Sequence, residues 1–524
     1  MMTRDKKYTA AGRAVLMTLL VAALCPIGGC RVDFGDLGGS SGNDFLSTGQ
    51  TQSHFRAIQI DPRSEDSAGP QFVVATDANG SPLDLNGDGL PDLVSAWNQS
   101  QPVQIHLQRR SGTTISFETV TLAGSVPAVA VASLAVADFN GDGRSDIAVL
   151  LKETLLSGPQ CLDSELPGEG LSGLVLLYLG PDDPAQTNQA LAWQEIEIGN
   201  SFLQGRGDIN SGTENGGFTA MAVGDINLDG KPDIVVAWNS SCGDGGSVDV
   251  VLFTNGGAAA ILDKTWLAAR IPDAFPKGAT IKDIALGDID QDGDLDIVVT
   301  FPTAPAMNVR WYRNPVLDIP DDVHLSDGAW QTGTISQVAT GADVIADFGA
   351  SGSRLTDIDG DGIVDVVIRS TNGRVIQWFK TPLEPTTAPL RNIPWQVFTI
   401  AEFIDRTPEA VALGDINGDG QVELVASAVG GLVWFDPLGP SSVFDQWTEN
   451  LIIDDAPSES SNTSPGTTDP NVSPQEIAGT TSINSLVVVD LDGDGASDVV
   501  ATFDRSGLSG LTNDALVWFR NTQP

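Results

Sequence analysis

A nine-residue pattern recurs seven times along the 524-residue chain, beginning at Asp84, Asp138, Asp225, Asp288, Asp357, Asp415 and Asp490. Its third residue is Asn86, Asn140, Asn227, Asp290, Asp359, Asn417 or Asp492, and its fifth is always Asp: Asp88, Asp142, Asp229, Asp292, Asp361, Asp419 or Asp494. Its ninth is Asp92, Asp146, Asp233, Asp296, Asp365, Glu423 or Asp498. Side-chain oxygens at positions 1, 3, 5 and 9, a backbone carbonyl at position 7 and water supply the six to eight hard oxygen ligands that Ca2+ takes. Position 6 is always Gly, which permits the tight turn that folds the chain around an ion. Three or four acids crowd every loop and repel unless a cation neutralises them. Up to seven Ca2+ are therefore expected, with the Asp415 loop the weakest candidate because Glu423 reaches further than Asp. An EF-hand would need an acid at position 12 between helices, and here that position is Ser95, Val149, Val236, Val299, Ile368, Ala426 or Ala501 between strand-like runs.

Such loops need elements to hold them. An apolar run precedes each loop, as in Leu134-Ala-Val-Ala, and another follows, as in Ile234-Val-Val-Ala-Trp. A third run closes on a bulky pair such as Leu177-Tyr178, Trp311-Tyr312, Trp378-Phe379, Trp434-Phe435 or Trp518-Phe519. A fourth opens on an aromatic at Phe55, Phe117, Trp193, Trp266, Trp330, Trp395 or Trp447. Four short strands per unit is the content of a propeller blade. The last unit ends without its fourth strand, while an orphan strand, Phe55–Ile60, stands before the first loop. The expectation is an all-β, seven-bladed β-propeller of four-stranded blades, closed by pairing of its N- and C-terminal strands. The recurrent aromatics are expected in the inter-blade core rather than as sugar-stacking platforms, because they recur at equivalent strand positions.

The loops, their flanking strands and the endings Trp311-Tyr-Arg-Asn314 and Trp518-Phe-Arg-Asn521 resemble FG-GAP/VCBS repeats, the family that includes the N-terminal propeller repeats of integrin α chains. The resemblance covers residues 54–524. It implies calcium between the first and second strands of each blade and no single function, since the family serves adhesion, glycan binding and enzyme scaffolding.

Residues 1–29 run from basic Arg4, Lys6, Lys7 and Arg13 into an apolar stretch too short to span a bilayer, the layout of a secretory signal. The end of this stretch, Ile27-Gly28-Gly29-Cys30, resembles a bacterial lipobox, which implies lipidation at Cys30 and a chain tethered to the membrane without spanning it. Residues 30–53 then read as the anchor and a flexible Gly/Ser-rich stalk. An exported lipoprotein of the cell envelope is expected, at the outer membrane or cell surface.

The formal charge of −42 argues against nucleic acid as a partner, since such a surface repels phosphates. Three His and four Cys leave little material for thiolate or His-cluster chemistry. Alternation of strand direction puts the long connections Lys152–Gly173, Gly199–Gly217 and Asp454–Ser482 on the face opposite the acidic loops, where a glycan or protein ligand would bind. Cys161 and Cys242 fall in equivalent connections of neighbouring blades and are a candidate disulfide in an exported protein, two free thiols being the alternative. The leading expectation is a monomeric, non-enzymatic binding or adhesion module. A calcium-dependent polysaccharide-degrading enzyme of the lyase type and a structural envelope protein are the alternatives.

Overall fold

The computed structural model describes residues 55–61, 69–97, 103–124, 130–152, 174–198, 216–240, 248–271, 281–300, 309–318, 330–336, 344–345, 355–370, 374–382, 395–403, 408–428, 431–438, 446–454, 482–504 and 515–522. The expected signal and anchor segment, Cys30, Cys161, Cys242 and most of the long connections lie outside them. All the described residues belong to one unit, Thr51–Pro524.

That unit is a seven-bladed β-propeller. Blade 1 is β2 (Pro70–Val74), β3 (Leu93–Trp97), β4 (Val103–Ser111) and β5 (Thr114–Thr121), and blade 2 is β6 (Ala130–Ala137), β7 (Asp146–Lys152), β8 (Leu174–Leu179) and β9 (Gln194–Glu197). Blade 3 is β10 (Gly216–Gly224), β11 (Asp233–Ser240), β12 (Val248–Thr254) and β13 (Leu267–Ile271), and blade 4 is β14 (Asp283–Gly287), β15 (Asp296–Thr300), β16 (Val309–Arg313) and β17 (Gln331–Ser336). Blade 5 is β18 (Val344–Ile345), β19 (Val366–Ser370), β20 (Val375–Lys380) and β21 (Gln396–Glu402), and blade 6 is β22 (Pro408–Gly414), β23 (Glu423–Ala428), β24 (Gly431–Pro437) and β25 (Trp447–Asp454). Blade 7 is β26 (Ser482–Val489), β27 (Asp498–Asp504), β28 (Ala515–Asn521) and the chain's first strand, β1 (Phe55–Asp61). β1 runs antiparallel to β28 from Phe55 opposite Asn521 to Asp61 opposite Leu516, so the two ends of the chain close the ring as expected.

The core is divided into seven apolar clusters, one at each seam between neighbouring blades. The cluster of Ile60, Val73, Leu93, Val489, Leu516 and Trp518 fills the seam between blade 7 and blade 1. Second strands are covered on both faces by adjacent blades, so β3 and β15 are buried along their whole length and read as unbroken apolar runs instead of alternating ones. Trp97, Trp311, Trp378 and Trp518 are buried in this core, in agreement with the structural reading of the aromatics. His106 is also fully buried, holding Ser95 Oγ at 2.7 Å and Thr119 Oγ1 at 2.9 Å.

Candidate metal centre

Each acidic nonapeptide joins the first strand of a blade to the second, so the seven loops lie on one face of the ring. Position 6 has positive φ in every loop, from 80° at Gly89 to 98° at Gly293. Position 4 is left-handed as well: it is Gly in five loops, and Leu228 and Gln291 take φ of 58° and 59° in the other two. Two left-handed residues wrap the backbone so that its N–H groups point inward at the carboxylates. In the loop of blade 2, Asp138 accepts from the N–H of Gly141, Asp142 and Gly143 at 2.7 to 3.1 Å, and Asn140 Oδ1 from that of Asp142 at 2.9 Å.

The ninth residue does something the spacing does not announce. In all seven blades one carboxylate oxygen accepts the N–H of the loop's own apolar position 2, as Asp233 Oδ2 does from Ile226 at 3.1 Å. In six of them the other oxygen accepts a backbone N–H where the blade's third strand ends. These donors are Gln108 to Asp92, Gly180 to Asp146, Asn255 to Asp233, Asn314 to Asp296, Thr381 to Asp365 and Asn521 to Asp498, all at 2.7 to 2.8 Å. Position 9 is thus a clamp between the loop and the third strand. Burial nevertheless dominates and pushes Asp92, Asp146, Asp233, Asp365 and Asp498 up to about 7, and Asp296 and Glu423 up to about 8.

The same strand ends reach across the seams. Asn255 Nδ2 of blade 3 donates to the carbonyl of Phe139, position 2 of the blade 2 loop, at 2.8 Å. Asn314 does this to Ile226, Asn521 to Ile416, and Gln108 to Leu491, the last across the closure of the ring. Between blades 1 and 2, where the strand ends in Gly180, Thr187 Oγ1 takes over and donates to Leu85 O at 3.3 Å. Loop, clamp and neighbouring blade are therefore one hydrogen-bonded unit.

Carboxylate oxygens converge within 4.8 Å of one another in four loops: Asp288, Asp290 and Asp292; Asp357, Asp359 and Asp361; Asp415, Asp419 and Glu423; and Asp490, Asp492 and Asp498. In the loops of blades 1 to 3 and 6 the third residue is Asn, which replaces one acid by a neutral oxygen donor. Where position 3 is Asp, the third strand supplies a cation: Arg313 pairs with Asp290 and Asp292 at 2.5 and 2.7 Å, Lys380 with Asp359 and Asp361, and Arg520 with Asp492 and Asp494. The equivalent residues in the Asn loops are Leu107, Leu179, Thr254 and Asp436. Even with these cations, Asp290 Oδ1, Asp359 Oδ1 and Glu423 Oε1 are buried with no hydrogen-bond donor. Orphaned carboxylate oxygens amid further acids fit a bound cation, so the buried acid clusters can hold a metal ion. The 28 expected ligand residues all lie in these loops, while Arg313, Lys380 and Arg520 were missed because their signal sits on another strand.

Three stretches, 84–149, 225–299 and 357–426, match the family described as FG-GAP-like repeat. Together with the seven blades they make the chain an FG-GAP-repeat β-propeller. Among solved structures it is similar to a rhamnogalacturonan lyase of Bacillus licheniformis (14% identity, TM-score 0.37, 90% of this chain and 76% of that one). It is also similar to the exotype rhamnogalacturonan lyase YesX (12%, TM-score 0.39, 90% and 77%) and to the rhamnogalacturonan lyase YesW (13%, TM-score 0.36, 90% and 76%). Similarity at this level assigns no activity to this chain. No curated protein sequence matches it.

Proposed function

We propose that this propeller is a calcium-stabilised binding module, tethered to the cell envelope by a lipid on Cys30, that presents the face opposite its acidic loops to a glycan or protein. The observation that carries the calcium reading is the set of buried, donor-free carboxylate oxygens inside oxygen-only loops. Seven hard-oxygen sites with no sulfur or imidazole suit Ca2+ better than a softer metal. The ions serve the scaffold: in six blades the loop is tied by its ninth residue to its own third strand and, at most seams, a strand end ties the loop to the next blade, so occupancy stiffens the ring. The opposite face is where the chain leaves β7 (ending at Lys152) for β8 (from Leu174), β9 (ending at Glu197) for β10 (from Gly216) and β25 (ending at Asp454) for β26 (from Ser482), three long connections between consecutive strands. Long connections on a rigid scaffold suit recognition.

The test incubates the full-length protein in detergent with a panel of polysaccharides, with calcium or with chelator, and scores both retention and new unsaturated or reducing ends. Calcium-dependent retention without product supports the binding module. New chain ends would replace it with a polysaccharide-degrading enzyme, and neither outcome would direct the search to a protein partner.

A further inference from the structure

The sixth blade departs from the clamp in a way that has a single chemical cause. Leu424 pairs with Phe435 in β24 as Ile297 pairs with Tyr312 in β16, which aligns Asp436 with Arg313 and Pro437 with Asn314. Proline carries no N–H. The backbone donor that occupies the second oxygen of position 9 in the other six blades is therefore missing here. Glu423 Oε2 still accepts from the position 2 N–H, of Ile416, at 2.6 Å. Its Oε1, on a side chain with 0% exposure, has no hydrogen-bond partner, and the Glu423 carboxylate converges with those of Asp415 and Asp419 within 4.8 Å. Where three other blades place Arg or Lys beside the loop, this one places Asp436, which feels burial first and the Asp419 carboxylate next.

We propose that Glu423 is released from clamp duty to act as an open metal ligand, and that the Asp436-Pro437 strand end makes this loop a member of the tightest calcium class in the ring. The proposal rests on the calcium reading given above and reverses the sequence expectation that the Asp415 loop is the weakest. Two features act in the same direction. Pro437 leaves a buried carboxylate oxygen without its backbone donor and so open to a cation, and Asp436 adds negative charge where Arg313 or Arg520 would subtract it. Asp436 and Pro437 do not touch the ion in this scheme. They are positioning residues that act through Glu423 and through the local charge.

The test is calorimetric calcium titration of the full-length protein, wild type against D436R/P437N, which rebuilds the Arg-Asn ending of blades 4 and 7. The double variant is expected to remove one site from the tightest class, with affinity at that site weakened about 10- to 100-fold, the size of effect that follows when the groups holding a metal's ligands are changed. E423Q should remove the same site, and a chelator melt of D436R/P437N no lower than wild type would show that the loss is not unfolding. P437N alone covers the case in which the charge reversal disturbs packing, and a partial weakening is expected from it. An unchanged tight class in D436R/P437N would overturn the proposal while leaving calcium binding intact. Absence of any calcium heat from the wild type would overturn the calcium reading itself, and this proposal with it.

Discussion

Gln108 Nε2, in the first blade, donates to the carbonyl of Leu491, in the last, over 2.7 Å and 383 residues of chain. The same amide reaches Pro91 O at 3.0 Å, and the Gln108 backbone N–H is held by Asp92. The ring is thus closed twice, by the β1–β28 ladder and by this polar stitch on the face of the acidic loops. Gln108→Ala strands two carbonyls in the seam, and is expected to cost about 1–3 kcal/mol of stability, measured by denaturant unfolding. Asn255→Ala, which performs the same role between blades 2 and 3, should cost a similar amount.

Clamp and ligand positions are expected to separate in a comparison of Asp233→Asn with Asp229→Asn. Asp233 is fully buried and both its oxygens accept backbone N–H groups, so an amide there must turn an NH2 toward a donor. Its substitution should lower the melting temperature in chelator and in calcium alike. Asp229 is exposed, and its side chain meets only Lys231 beyond the loop's own turn. Its loss should be felt mainly when calcium is present.

The metal-free protein should lose stability as pH rises. Burial lifts the position 9 acids to about 7 or 8 in the folded chain, whereas they release their protons near the ordinary carboxylate value once unfolded. Between those limits the folded state holds more protons, so its stability falls with increasing pH. Melts in chelator are expected to drop from pH 5 to pH 8, and saturating calcium, which favours the ionised form, should flatten the dependence.

Cys30→Ser should move the protein from the membrane fraction to the soluble fraction of cells. Membrane association that survives the substitution would contradict the lipid anchor.

Blade number, strand content, ring closure and the positions of the acidic loops were legible because each recurs at short range: Asp, Gly and apolar residues stand at fixed offsets inside nine residues, flanked by aromatic-ended strands. Even so, β5 begins at Thr114, ahead of the expected Phe117, because the tight turn after Ser111 lets pairing start at once. The double role of the ninth residue was not legible. Its partners stand 16 residues on in blade 1 and 34 in blade 2, so no fixed offset betrays them, and only strand register brings them together. For the same reason Pro437 reads as an ordinary strand end until its place opposite the Glu423 carboxylate is seen. The coupling of Asp at position 3 to Arg313, Lys380 or Arg520 needed that register too.

The most direct test of calcium as part of this fold is a thermal melt of the full-length protein, dialysed free of metal and then returned to calcium, with bound calcium counted per chain. A substantially lower melting temperature without metal, recovered on return as up to seven ions bind, is the expected result, since ions that bind only the folded state stabilise it. An identical melt in both conditions, with no calcium retained, would contradict it.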